Sequence, residues 1–132
     1  SRRLGQKRNE SLWCGYSIKG KQKKIYFSGD IAYGKVFTEI FKKEGNFDLS
    51  IVPIGAYEPR EMMKTSHVTP EEAVQVTKDI KSNNILGMHW GTIRLSAEDL
   101  WEPPKRFYAA AIKSGYNENQ IWKMSIGETR KI

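Results

Sequence analysis

The segment Phe47-Asp48-Leu49-Ser50-Ile51-Val52-Pro53-Ile54 constrains the fold more than any other. It is mostly apolar at odd and even positions alike, as in a strand of a parallel sheet that is buried on both faces. Pro53 predicts that this strand ends at an edge or an irregularity. Before it, Leu12 to Ile18 and Lys24 to Ser28 read as strands joined by the turn Lys19-Gly20-Lys21-Gln22, a hairpin closed by Gly29-Asp30. Between hairpin and apolar strand, Gly34 to Glu44 has helical spacing, with Val36, Phe37, Ile40 and Phe41 on one face and Gly45 as the stop.

The second half begins with Gly55 to Val68, an aperiodic stretch long enough to suggest a functional loop. Thr69-Pro70-Glu71-Glu72 is a capping box with proline at the first helical position. It opens a helix to about Lys81, with Ala73, Val76, Thr77 and Ile80 inward and Ser82-Asn83-Asn84 as its end. Ile85 to His89 is a short strand, Ser96 to Trp101 a helical turn, and Pro103 the start of a helix stopped by Gly115. Ile121 to Ile126 is a last strand. The order β-β-α-β-loop-α-β-α-β places the chain in the α/β class, as one layered domain.

The chain has 132 residues and a formal charge of +7, much of it in the lead-in 1–10 and the hairpin turn. It carries no helix-turn-helix, zinc-finger or RNA-binding aromatic signature, so nucleic acid is not the expected partner. With no signal region or membrane-length apolar run in the sequence, the expected location is cytoplasmic or peripheral to a membrane. The single cysteine, Cys14, reads as a buried strand residue. Trp13, Trp90, Trp101 and Trp122 read as core and rim packing.

Chemistry concentrates at strand ends. Asp30 and His89 each follow a strand, where α/β folds place ligands and catalytic groups. A carboxylate there can bridge two divalent cations, and neutral imidazole is a favoured zinc ligand. The simpler readings are that Asp30 caps the following helix and that His89 is a half-buried histidine bonded to backbone. His67, just before a helix N-terminus, is a general acid, an anchor for a phosphate or leaving oxygen, or a surface-loop histidine. These are the two histidines of the sequence.

Together the motifs are more specific. Phe27-Ser28-Gly29-Asp30, the run from Phe47 through Ile54 to Gly55-Ala56-Tyr57-Glu58-Pro59-Arg60, Met63-Lys64, His67-Val68-Thr69-Pro70-Glu71-Glu72-Ala73, His89-Trp90-Gly91-Thr92, Glu102-Pro103-Pro104 and Gly127-Glu128-Thr129-Arg130 occur in order. The set resembles the metallo-β-lactamase-fold phosphodiesterases related to N-acyl-phosphatidylethanolamine phospholipase D. The resemblance implies an αββα sandwich with two zinc ions at one edge. It implies Asp30 as the ligand bridging both metals, His89 as a late ligand, and His67 as a catalytic residue outside the metals' own ligand set. It also implies that Tyr57, Glu58 and Arg60 lie near the substrate head group. The substrate implied is an N-acyl phospholipid or a related phosphodiester.

The sequence lacks the family's early His-x-His-x-Asp-His motif and its later His-Trp pair. It therefore resembles the C-terminal half of such a domain, residues 1–132 being a partial domain. Two ligands hold two zincs poorly, since zinc sites take at least three protein ligands. The expected partner is an N-terminal half or companion chain that completes the site. The alternative is a non-catalytic remnant or interaction module that dimerises through an exposed sheet face.

Overall fold

The computed structural model describes residues 13–125 and 127–132; the lead-in 1–10, Leu12 at the start of the first expected strand and Ile126 at the end of the last lie outside them. A five-stranded sheet runs in sequence order: β1 (Tyr16–Lys19), β2 (Lys24–Phe27), β3 (Phe47–Pro53), β4 (Ser82–Met88) and β5 (Ile121–Trp122). The β1–β2 pair is antiparallel, closed by a turn in which the Gly20 N–H donates to the Lys23 carbonyl at 2.8 Å. The other three pairs are parallel, as the two-sided apolar pattern of β3 predicts. Crossovers carry α1 (Val36–Glu44), α2 (Arg60–Met63), α3 (Pro70–Asp79) and α4 (Glu102–Lys113).

Cross-strand register defines two rows of side chains. Tyr26, Ser50, Ile85 and Ile121 line up on one face, and all four are buried, largely under α3 and α4. Phe27, Ile51, Leu86 and Trp122 line up on the other, because neighbours along a strand point to opposite sides. In this second row Phe27, Ile51 and Leu86 are only half-buried. Polar contacts pin the amino-terminal end of the sheet. The Asp48 carboxylate accepts the Lys24 N–H at 2.8 Å, the Asn84 amide donates to the Asp48 carbonyl at 2.8 Å, and the Ser50 and Ser82 hydroxyls bond at 2.7 Å.

The α3 cap forms as read. The Thr69 hydroxyl accepts the Glu72 N–H, and the Glu72 carboxylate accepts the Thr69 N–H at 2.9 Å. Ala73, Val76, Thr77 and Ile80 are all buried, and the Gly45 N–H closes α1 on the Phe41 carbonyl.

Several boundaries differ from the sequence reading. The first strand starts at Tyr16, leaving Cys14 exposed. The α1 helix starts at Val36, which is exposed; Phe37 carries its buried face. Pro53 ends an interior strand, not an edge, and is itself buried; as the last residue of β3 it leaves the ladder to resume through the Ile54 N–H and Met88 carbonyl at 2.9 Å. Ser82 and Asn84 belong to β4, where they pair with Phe47 and Leu49 of β3 and their side chains bond that strand. Residues 96–101 form bends and a turn ahead of α4 rather than a helical turn capped by Ser96. Trp13 and Trp101 are exposed, whereas Trp122 is buried.

Candidate metal centre

The parallel strands deliver their following residues to one edge of the sheet. Asp30 follows β2, Gly55 follows β3, and His89 follows β4. His67 reaches the same place from the segment before α3. Asp30, His67 and His89 each offer one ligand atom, all within 4.8 Å of one another. His89 Nε2 lies 3.5 Å from an Asp30 carboxylate oxygen, and the His67 and His89 rings stack at 5.5 Å.

The contacts do not support Asp30 as a cap or a backbone-bonded His89. Asp30 is no helix cap, since α1 receives no side-chain hydrogen bond at its start. The Nδ1 atoms of His67 and His89 are buried and without a hydrogen-bond partner among the described residues. Buried polar atoms are normally satisfied, so two histidines with an orphaned ring nitrogen each, clustered with a carboxylate, fit a cation. Burial holds the His67 pKa below the usual histidine value despite the pull of Asp30, which favours the neutral ring. A groove of about 380 Å³ lined by Trp13, Cys14, Asp30, Ser66 and His67 gives access to the cluster.

The surrounding loops are braced by charge. Arg60 Nη1 donates to the His67 carbonyl at 2.7 Å, and its Nη2 donates between the two Glu72 oxygens at 2.6 Å. Arg106 forks onto Glu71 and donates to Glu102, and its guanidinium lies 4.7 Å over the Tyr57 ring. Tyr57 is fully buried and its hydroxyl donates to Glu102 at 2.9 Å. Burial, seconded by that carboxylate, pushes the phenol pKa upward.

The three residues expected near a substrate head group lie in the segment after β3, and Arg60 ties it to the His67 main chain. Tyr57 has no exposed surface with which to touch a substrate, Arg60 is committed to His67 and Glu72, and the Glu58 carboxylate accepts the Arg60 N–H at 3.1 Å. As placed, they brace the loop that leads to His67.

Sequence reasoning missed Glu98, whose carboxylate accepts the Ala56 and Glu58 N–H groups and the Ser96 hydroxyl. Burial works to raise its pKa, but these donors outweigh it and the net shift is downward. It also missed Gly55 as a contact residue. A Cβ there would stand 2.3 Å from the His89 carbonyl oxygen.

Comparison with known proteins decides the family. Residues 1–90 match the model of the beta-lactamase superfamily domain. The chain belongs to the beta-lactamase superfamily. Among superfamily relatives it is 42% identical over 98 residues to N-acyl-phosphatidylethanolamine-hydrolyzing phospholipase D 1 of Caenorhabditis elegans, covering 74% of this chain and 28% of that protein. It is 34% identical over 113 residues to the mitochondrial N-acyl-phosphatidylethanolamine-hydrolyzing phospholipase D of Saccharomyces cerevisiae, covering 83% and 24%. The fold matches the metallo hydrolase Igni18 of Ignicoccus hospitalis with a TM-score of 0.64 at 21% identity, over 86% of this chain and 43% of that one. The metallo-β-lactamase-fold protein YhfI of Bacillus subtilis matches with a TM-score of 0.56 at 18% identity, over 77% and 37%. The superfamily chain thus has the metallo-β-lactamase fold expected from its motifs, and spans under a third of the length of the two phospholipase D relatives.

Proposed function

We propose that the chain is the C-terminal part of a dinuclear zinc hydrolase, a phosphodiesterase of N-acyl phospholipids or related phosphodiesters. The observation that carries this is the convergence of Asp30, His67 and His89 at one sheet edge with two unsatisfied buried imidazole nitrogens. The names of the phospholipase D relatives support the substrate class. Asp30 and His89 would hold metal. Zinc, when bound, supplies hydroxide near neutral pH and stabilises charge on phosphoryl oxygens. His67, whose ring burial biases toward the neutral form, lies in the same cluster and would move a proton during turnover. Tyr57, Glu58 and Arg60 shape the mouth from beneath by holding the loop that carries His67.

The remaining ligands would come from an N-terminal half or companion chain. The half-buried apolar row Phe27, Ile51 and Leu86 supports a second sheet covering this face. The same row favours one other reading, a non-catalytic module that dimerises through it. No described helix is long and apolar enough to cross a membrane, which is compatible with a peripheral enzyme.

The test is metal content, native mass and phosphodiesterase activity of the purified full-length protein. About two zincs per chain with activity is the result expected of a two-metal site. Asp30→Asn should lose metal and most activity; His67→Ala should lose turnover and keep metal. A metal-free homodimer without activity overturns the proposal in favour of the second reading.

A further inference from the structure

Glu98 lies in the segment between β4 and α4, which has no helix or strand of its own until α4 begins. Its carboxylate nevertheless gathers three donors from two stretches of chain. One oxygen accepts the Ala56 N–H at 2.6 Å; the other accepts the Glu58 N–H at 3.1 Å and the Ser96 hydroxyl at 2.6 Å. The Ala97 N–H returns to the Glu58 carbonyl at 3.3 Å. Hydrogen bonds to an ionised acceptor are roughly twice as strong as neutral ones.

These bonds hold a conformation that the loop would not choose. Ala56 sits at φ +64°, in the left-handed region that a Cβ disfavours. Gly55, beside it, lies so close to the His89 main chain that a methyl group cannot fit between them. His89 is itself left-handed at φ +63°. Two unfavourable backbone conformations therefore flank one tight contact, and a carboxylate fastens one side of it.

We infer that Glu98 is a positioning residue for the metal centre: by fixing Ala56 and Glu58 it seats Gly55 against His89 and so sets the His89 imidazole beside Asp30. The inference rests on the metal-binding reading above. Groups that orient ligands without touching the metal typically account for roughly 10- to 100-fold in metal affinity.

The experiment measures Zn2+ affinity of the full-length protein by chelator competition, with a thermal melt of each metal-free variant. Glu98→Gln keeps the side chain's size but turns an amide donor toward backbone donors; its affinity should fall roughly 10- to 100-fold. Adding Ala56→Gly should recover part of that loss, because glycine adopts positive φ freely. Phe47→Leu, at the opposite end of β3, should lower the melting temperature and leave affinity unchanged. Ser96→Ala, which removes one donor to the carboxylate, should give a smaller loss of affinity and covers the case in which Glu98→Gln does not fold. Wild-type affinity in Glu98→Gln, or in Ser96→Ala where only that variant folds, overturns the inference provided His89→Ala binds weakly. Equal affinity losses in Glu98→Gln and Phe47→Leu at matched melting temperatures overturn it as well. Wild-type affinity in His89→Ala overturns the metal reading, and this inference with it.

Discussion

Gly55→Ala is a small change with a large expected effect. The added Cβ would meet the His89 carbonyl oxygen at 2.3 Å, while the next atoms, His89 C and Trp90 Cβ, lie at 3.4 and 3.5 Å. Ordinary carbon–oxygen contacts begin near 3.3 Å, so one contact must open by roughly 1 Å. The oxygen is main chain and the Cβ position is fixed by its own main chain, so no side-chain rotation relieves the clash. The strain falls on the carboxyl end of the β3–β4 pair, where the Ile54 N–H donates to the Met88 carbonyl at 2.9 Å. Loss of that bond contributes about 1 kcal/mol, and forced overpacking about 1–3 kcal/mol. The sum is about 2–4 kcal/mol. With a specific unfolding entropy of about 2.1 cal/mol/K per residue, it lowers the melting temperature of a chain of this length by roughly 7–14 °C. Gly34→Ala is the control, since a Cβ there meets nothing within 4 Å; it should stay within about 0.5 kcal/mol of wild type. The assay is a thermal melt of the metal-free protein, followed by zinc titration at a temperature where all variants are folded. A Gly55→Ala protein that melts and binds zinc like Gly34→Ala would refute the reasoning.

Other expectations follow from the charged braces. Arg60→Ala should destabilise the protein by about 1–3 kcal/mol, the range for lost charge-assisted hydrogen bonds. Arg60→Lys should recover little, because one ammonium nitrogen cannot serve both the His67 carbonyl, held by Nη1, and the Glu72 carboxylate, held by Nη2; paired urea melts decide it, and full recovery by lysine would show that charge alone suffices. Acid should weaken the fold through Glu71 and Glu98, whose carboxyls burial pushes up but whose donors bring to a net downward shift, and through Glu102, which Arg106 and Tyr57 pull down. A depressed folded pKa gives stability that is present above the unfolded carboxyl pKa and lost as pH falls through the folded one, so the loss should begin at about pH 4.5 and deepen below it. Glu71→Gln should be less stable than wild type at pH 7 and converge with it toward pH 2; a constant gap across that range would contradict the linkage.

What was legible in the sequence was whatever rests on neighbours along the chain. The capping box of α3 needs Thr69 and Glu72 alone, and the Gly45 stop needs only the preceding turn. The two-sided apolar pattern of β3 announced a parallel interior strand. Asp30 and His89 stood out because they end strands, although only topology brings His67 to them. The remainder depends on distant partners. The short helix α2 contains a residue tied to His67 and Glu72, and no periodicity marks it. Glu98 resembles any exposed acidic loop residue until β3 delivers Ala56 and Glu58 to it. Tyr57 and Arg60 were assigned by their place in a motif, whereas their burial and their bonds to Glu102 and Glu72 are decided by α3 and α4.

The two side-chain rows of the sheet have a consequence for folding fidelity. In most sheets a strand that slips by one residue turns its apolar face to water, and that cost selects the correct alignment. Here both rows contain large apolar residues, Tyr26, Ile85 and Ile121 on one side and Phe27, Ile51, Leu86 and Trp122 on the other. A slip would exchange one oily face for another, so hydrophobicity discriminates weakly among alignments. The discrimination falls to groups that fit in only one position: the Asp48 carboxylate on the Lys24 N–H, the Asn84 amide on the Asp48 carbonyl, and the buried Ser50–Ser82 hydroxyl pair. These few polar residues, all at the end of the sheet remote from the metal centre, act as its alignment keys. They determine whether Asp30 and His89 emerge from their strands opposite one another or one residue out of step.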